Sequence, residues 1–241
     1  MFSFLYNEIL NRPLLNLLVF LYNTVAFEDL GLAIIILTII VRLILYPLFH
    51  KGAKHQMVMQ RLQPKVKKIQ DEHKANKEKQ AEAMLHLYRE HNVNPFSGFF
   101  ILLVQLPILI ALYRIFLNTL KPEFLDSLYP FVARPEVIHN TLFGLINLGE
   151  SSILIVSLAA LAQYFQGKLA LWKKGEKPQT TQEKMAHNMV FVGPIITVVI
   201  FFNFPAAVAL YWAATSLFSV FQQIIINRQL KNDGKFDQKN N

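Results

Sequence analysis

A chain of 241 residues that is 53% hydrophobic, with a mean hydropathy of +0.32, is too apolar for an ordinary water-soluble domain and has the composition of a polytopic membrane protein. It contains no cysteine, which excludes disulfides, thiol catalysis, thiolate metal sites and a lipidated N-terminal Cys. The net charge of +8 resembles a nucleic-acid signal, but its placement along the chain assigns it to one side of a membrane instead.

Residues 1–26 lack the basic start and small-residue cleavage site of a signal peptide. At about 100° per residue, Asn7, Glu8, Asn11, Arg12, Asn16 and Asn23 fall on one half of a helix, and Leu10, Leu14, Leu17, Leu18 and Leu21 mostly on the other. The expectation is an amphipathic helix lying on the outer leaflet and starting near Pro13; a poorly cleaved signal sequence is the alternative.

The first span, 27–50, contains the run GLAIIILTIIVRLILYPLF from Gly31 to Phe49. Its one charge, Arg42, costs at least a few kcal/mol at membrane depth unless it is paired or faces a polar cavity. No Asp or Glu lies inside any other apolar run, so two readings stand: a guanidinium snorkelling to the surface, or one facing a wet cavity whose anionic partner comes and goes.

Residues 51–94 are hydrophilic and carry ten Lys and Arg. Leu62, Val66, Ile69 and His73 make one helical stripe, and Ala81, Met84, Leu85 and Tyr88 a second, with Asn76 at the break. This predicts a helical hairpin, loosely held because few large apolar residues lock it. Either it is a solvated spacer, or it contacts a ribosome, targeting factor or nascent chain.

The second span is expected at 95–118, an extracytoplasmic loop at 119–150, the third span at 151–172 and a short basic loop at 173–187. The fourth span, 188–203, is short for a bilayer core of about 30 Å, and a tight turn at Asn203-Phe204-Pro205 separates it from the fifth, 205–227. Basic residues crowd 51–94, 172–187 (Lys173, Lys174, Lys177, Lys184) and the 228–241 tail (Arg228, Lys231, Lys235, Lys239). The loop between the second and third spans has only Lys121 and Arg134. The fold class is therefore an all-α polytopic membrane protein, with five transmembrane helices, the N-terminus outside and the hairpin and tail cytoplasmic.

Several segments resemble one family when taken together and in order: IIILTIIVRLILYPL, MQRLQPKVKKIQ, NVNPFSGFFILLVQLPILIALY, and FFNFPAAVALYW followed by Gln222-Gln223. Over roughly residues 10–228 the chain is similar to the YidC/Oxa-type membrane-protein insertases, as a minimal bacterial five-span member. The resemblance implies a hydrophilic groove, open to lipid and cytoplasm and closed to the outside, that moves short hydrophilic tails while apolar segments enter the bilayer. Arg42 would sit in it, with Thr38, Gln105, Thr215 and Ser216 as polar lining. For Thr38 a bond back to a helix carbonyl, and for Gln105 an interhelical contact, are the local alternatives. Tyr211 and Trp212 would touch substrate or lipid, or pack in the core.

Lys54, Arg61, Lys65, Lys67 and Lys68 would serve recruitment by the hairpin. Implied partners are nascent membrane proteins, the ribosome, a Sec-type translocon and anionic lipids, with no specific nucleic-acid binding. The implied location is the bacterial inner membrane. The sequence shows no phosphate-binding loop, nucleophile–base constellation or metal-ligand spacing, so no enzyme activity, cofactor or metal is expected. Two rival readings are a transporter or channel for an anionic solute and a ribosome-tethering assembly factor; the first lacks the repeats common in transporters.

Overall fold

The computed structural model describes residue 4 and residues 6–118, 122–171 and 181–232. Lys121, Lys173, Lys174, Lys177, Lys235 and Lys239, which helped orient the spans, lie outside the described residues.

A π-helical turn, Asn7–Asn11, leads into helix α1, Arg12–Thr24, with Pro13 in the first turn where its missing N–H is not needed. Much of the apolar surface of α1 is packed: Leu15, Leu18, Val19 and Tyr22 are buried. Its polar face is covered as well, by the chain's own loop. Asn16 Oδ1 accepts from the Tyr129 N–H at 2.6 Å, Asn23 Nδ2 donates to the Ala133 carbonyl at 2.7 Å, and Tyr22 Oη accepts from the His139 N–H at 2.8 Å. A helix does form over Arg12–Thr24, but loop backbone occupies part of the face expected to meet headgroups, and Asn16 on that face is buried.

Helix α2, Leu30–Ile44, is capped by Asp29, whose Oδ1 accepts from the Leu32 N–H at 2.7 Å. It does not run straight to residue 50. The chain bends by 71° at Leu45 and continues as α3, Tyr46–Arg61. Pro47 cannot donate to the carbonyl one turn back, so the ladder breaks there.

The hydrophilic segment continues as α4, Gln63–Glu72, and α5, Lys77–Glu90. Asn76 caps α5 by accepting from the Glu78 and Lys79 N–H groups at 3.1 and 3.0 Å, so the hairpin turns at the expected residue. Its base is locked more firmly than the stripes suggested. Met57, Val58, Leu62, Val66, Leu87 and Val93 form a second core with Ile226 and Leu230 from the last helix. Leu87 is buried, whereas Leu85, placed in the stripe by sequence, is 46% exposed.

Helix α6, Ser97–Asn118, contains Pro107; α7, Ile153–Ala170, and α8, Thr181–Phe201, follow a loop that holds a two-stranded hairpin, β1 Thr141–Leu142 and β2 Ile146–Asn147. Thr141 pairs with Asn147 and Leu142 with Ile146, antiparallel. The chain turns over 202–205 and enters α9, Ala206–Asn232. The first N–H groups of α9 are capped by loop carbonyls: Ala206 donates to Glu150 at 2.7 Å and Ala207 to Leu148 at 3.1 Å. Helix α9 packs on α7 and α2, and its Ala206, Ala207 and Ala209 permit close approach.

Among the described residues, α6, α7 and α9 are each long and apolar enough to cross a membrane; the bent pair α2–α3 makes a fourth if it is one span. The apolar part of α8, His187–Phe201, is shorter.

Candidate functional site

Arg42 lies in the last turn of α2 and is only 6% exposed. Its Nη2 donates to the Thr215 carbonyl at 3.1 Å and to Ser219 Oγ, and Ser219 in turn donates to the same carbonyl at 3.0 Å. The guanidinium stands 4.5 Å over the Phe49 ring and 5.6 Å from the Phe218 ring. Its Nε is buried without a hydrogen-bond partner. Among the described residues no carboxylate pairs with it; ion pairs such as Arg12–Glu8, Lys68–Glu72, Lys74–Asp71 and Arg134–Asp126 lie elsewhere. A cation held by neutral acceptors and ring faces keeps its full charge, and in a poorly polarisable surrounding that charge acts strongly on whatever approaches.

What it faces is a cavity of about 440 Å³, walled by α2, α3, α6, α7, α8 and α9. Gln56, Gln105, Gln163, Gln166, Thr215, Ser216, Ser219, Gln222 and Gln223 supply its polar lining, and Phe49, Leu102, Met189 and Trp212 part of its apolar wall. Amide and hydroxyl groups both donate and accept, so this lining can hold water or a polar chain of either character. A second, apolar cavity of about 490 Å³ adjoins it, bounded by residues such as Leu109, Tyr113, Ile196, Phe204 and Val208. Gln163, Met189, Gly193 and Trp212 border both.

Of the residues singled out by sequence, Arg42, Gln105, Thr215 and Ser216 meet in this one cavity. Gln105 Nε2 donates to Tyr211 Oη, so its amide also ties α6 to α9. Thr38 is not among the lining residues: it is 1% exposed, and its hydroxyl donates back to the Ile34 carbonyl at 2.6 Å. Tyr211 is 2% exposed and belongs to the core, while Trp212 is half-buried and borders both cavities.

The five hairpin cations are divided. Arg61 Nη1 donates to the Leu230 carbonyl at 3.4 Å, Lys65 Nζ lies 3.4 Å from His91 Nε2, and Lys54 is half-buried. Lys67 and Lys68 are on the surface, Lys68 at 4.0 Å from Glu72.

Sequence reasoning missed Ser219, Gln56, Gln163, Gln166, Gln222 and Gln223 as lining. The signal was present in the spacing. Thr215, Ser216, Ser219, Gln222 and Gln223 recur at three- and four-residue steps along α9, as do Gln163 and Gln166 on α7. Polar residues repeating at helical period inside an apolar helix mark a wetted face.

The family model described as 60Kd inner membrane protein matches residues 20–233. A membrane protein insertase YidC of Helicobacter pylori is 31% identical over 229 residues, covering 93% of this chain and 37% of that protein. The chain thus spans under two-fifths of that relative's length. One of Oceanobacillus iheyensis is 34% identical over 208 residues, covering 84% of this chain and 76% of the relative. A crystal structure of an active YidC insertase, with its first transmembrane domain resolved, superposes with a TM-score of 0.58 at 26% identity, over 90% of this chain and 45% of that one. The chain belongs to the 60Kd inner membrane protein family, the family of the YidC insertases, and so to the bacterial inner membrane.

Proposed function

We propose that this chain is an insertase and chaperone that draws short hydrophilic tails of nascent membrane proteins into the Arg42 cavity and releases their apolar segments to the bilayer, without nucleotide hydrolysis. The observation that carries this is a buried cation facing a polar cavity with no carboxylate partner among the described residues. Such a site is costly to keep at membrane depth, which points to a use beyond folding.

In this reading the chain has five spans: α2–α3, α6, α7, α8 and α9. The N-terminus and the loop 119–150 are outside, and the hairpin α4–α5 and the tail are in the cytoplasm. The surplus of Lys and Arg over 51–94 supports that orientation. A polar tail entering from the hairpin end meets amides, hydroxyls and the Arg42 charge, which attract it without binding it permanently. The adjoining apolar cavity offers the following segment surroundings that match lipid. Partition of the apolar segment drives the process, and the membrane potential adds about 2.3 kcal/mol per translocated charge per 100 mV.

Of the five hairpin cations assigned to recruitment, Lys67 and Lys68 are the exposed ones, available to a ribosome, a Sec-type translocon or anionic headgroups. The short apolar stretch of α8 suits a locally thinned bilayer, which shortens the path further.

The test is reconstitution of the pure protein into liposomes with a single-span substrate bearing an acidic tail, scored by protease protection. Insertion by the wild type that Arg42→Ala abolishes is the expected result. Insertion by both variants alike removes the charged cavity from the mechanism. Anion flux without insertion would favour the transporter reading.

A further inference from the structure

The turn between β1 and β2 is built against ordinary turn chemistry. Phe143 and Gly144 have φ of +54° and +69°, the left-handed pair of a tight hairpin. The first of these positions normally goes to Asn, Asp or Gly, because a Cβ is disfavoured there. Here it holds a phenylalanine that is 65% exposed, followed by Leu145 at 87%. Phe27, with φ of +51°, repeats the pattern and is 88% exposed. An aromatic residue that neither packs nor suits its backbone contributes nothing to folding, and strain kept at an exposed site points to a use outside the fold.

The two phenylalanines belong to one place. The Phe143 N–H donates to Asp29 Oδ2 at 2.5 Å, two residues beyond Phe27. Leu142 lies so close over Gly31 that a Cβ there would stand 2.9 Å from its Cα. The tip is therefore pinned beside the first turn of α2, level with the end of a spanning helix. Apolar side chains are exposed at the start of α7 too: Ile153 is 62% and Leu154 66% exposed.

We propose that Phe143, Leu145 and Phe27 form an anchor that dips into the outer leaflet at the boundary of headgroups and acyl chains. The occupant is lipid because the tip is pinned at the outer end of α2, where a spanning helix leaves the acyl core, and Ile153 and Leu154 expose apolar surface at the start of α7. Apolar groups at that depth gain free energy by leaving water, as on interfacial helices. This rests on the five-span orientation proposed above, which puts the loop 119–150 outside. Immersion of the tip would hold the outer end of α2 at fixed depth, and with it the helix that carries Arg42 in its last turn.

The natural chain has no cysteine, so single cysteines report cleanly. Leu145→Cys, Glu136→Cys and Leu161→Cys would each be spin-labelled in the full-length protein, in phosphatidylethanolamine–phosphatidylglycerol vesicles. Collision with molecular oxygen and with a water-soluble nickel chelate would then be compared. Leu161 is exposed in mid-α7 and Glu136 is exposed in the loop, so they serve as lipid and water references. The expected result is an oxygen-to-nickel ratio at 145 several-fold above that at 136 and approaching that at 161. A ratio at 145 equal to that at 136 overturns the anchor while leaving the spans intact. Protection from both reagents also overturns it, because the tip then sits against a second copy or another protein. A water-like signal at 161 overturns the spanning orientation itself, and the anchor with it.

Discussion

Three glycines should respond to the same substitution with different signs. In a helix, Gly→Ala ordinarily gains about 0.5–1 kcal/mol. At Gly31, however, the new Cβ would stand 2.6 Å from Leu142 Cδ1, 2.7 Å from its Cβ and 2.9 Å from its Cα. Carbon atoms in good contact are about 3.5 Å apart or more, so the shortfall is roughly 0.6–0.9 Å. Rotating the leucine side chain does not relieve a clash with its own Cα. The strand is held by pairing with Ile146, and Leu142 also accepts a turn hydrogen bond from the Leu145 N–H. Overpacking of this kind costs about 1–3 kcal/mol, which outweighs the helix gain and leaves Gly31→Ala less stable by about 1–2 kcal/mol. Gly98 in α6 has nothing within 4 Å, so Gly98→Ala should be neutral to stabilising. Gly52 is intermediate, because the obstacle is the flexible end of Ile101. Thermal unfolding in detergent reads the order directly: for a chain of this size 1 kcal/mol moves Tm by roughly 2–4 °C. Gly31→Ala melting at or above Gly98→Ala would refute the claim that the β-hairpin rests rigidly on α2.

Arg42→Lys keeps the charge but loses the placement of Nη2 on Thr215 and Ser219 and the planar stack on Phe49 and Phe218. It should retain more insertion of acidic-tailed substrates than Arg42→Ala, while losing about 1–3 kcal/mol of stability; equal insertion defects in the two variants would show that charge alone is not what the site supplies. Ile226→Ala removes a fully buried side chain from the hairpin's core, at a cost of about 2–5 kcal/mol, and should speed tryptic cleavage within 54–90 before the helices of the bundle melt; unchanged cleavage kinetics would contradict the docking. Tyr211→Phe leaves the Gln105 amide without its partner and should cost about 1 kcal/mol, measurable as a lower Tm, whereas the double variant with Gln105→Leu should cost less than the two single changes summed. Lys67→Glu with Lys68→Glu should weaken binding to anionic vesicles by about 1 kcal/mol per charge removed, without altering Tm; a shift in Tm instead would mean that these lysines are structural.

Hydropathy and charge made the helices and the hairpin legible, because length, apolarity and lysine placement are one-dimensional properties. Asn76 was found because a short polar side chain ahead of a helix has few other uses. The bend at Leu45 was half legible: Pro47 announces a break, but the 71° angle depends on what α3 packs against. The covered face of α1 was not legible, since Asn16 satisfies its amide equally well with headgroups or with the backbone of a loop more than 100 residues away. Helical phase explains the site's pattern of success. Arg42 and Thr38 are one turn apart and share a face at low resolution, yet the hydroxyl is short enough to bond back to the Ile34 carbonyl while the guanidinium reaches across to α9. Side-chain length therefore decided which of the two meets the cavity. The same reasoning applies to the glutamines at 56, 105, 163, 166, 222 and 223, which are long enough to reach a shared space from four different helices. Read singly, each is a tolerable polar residue; their convergence is a property of the packing, and only the periodic sets along α9 and α7 betray it beforehand.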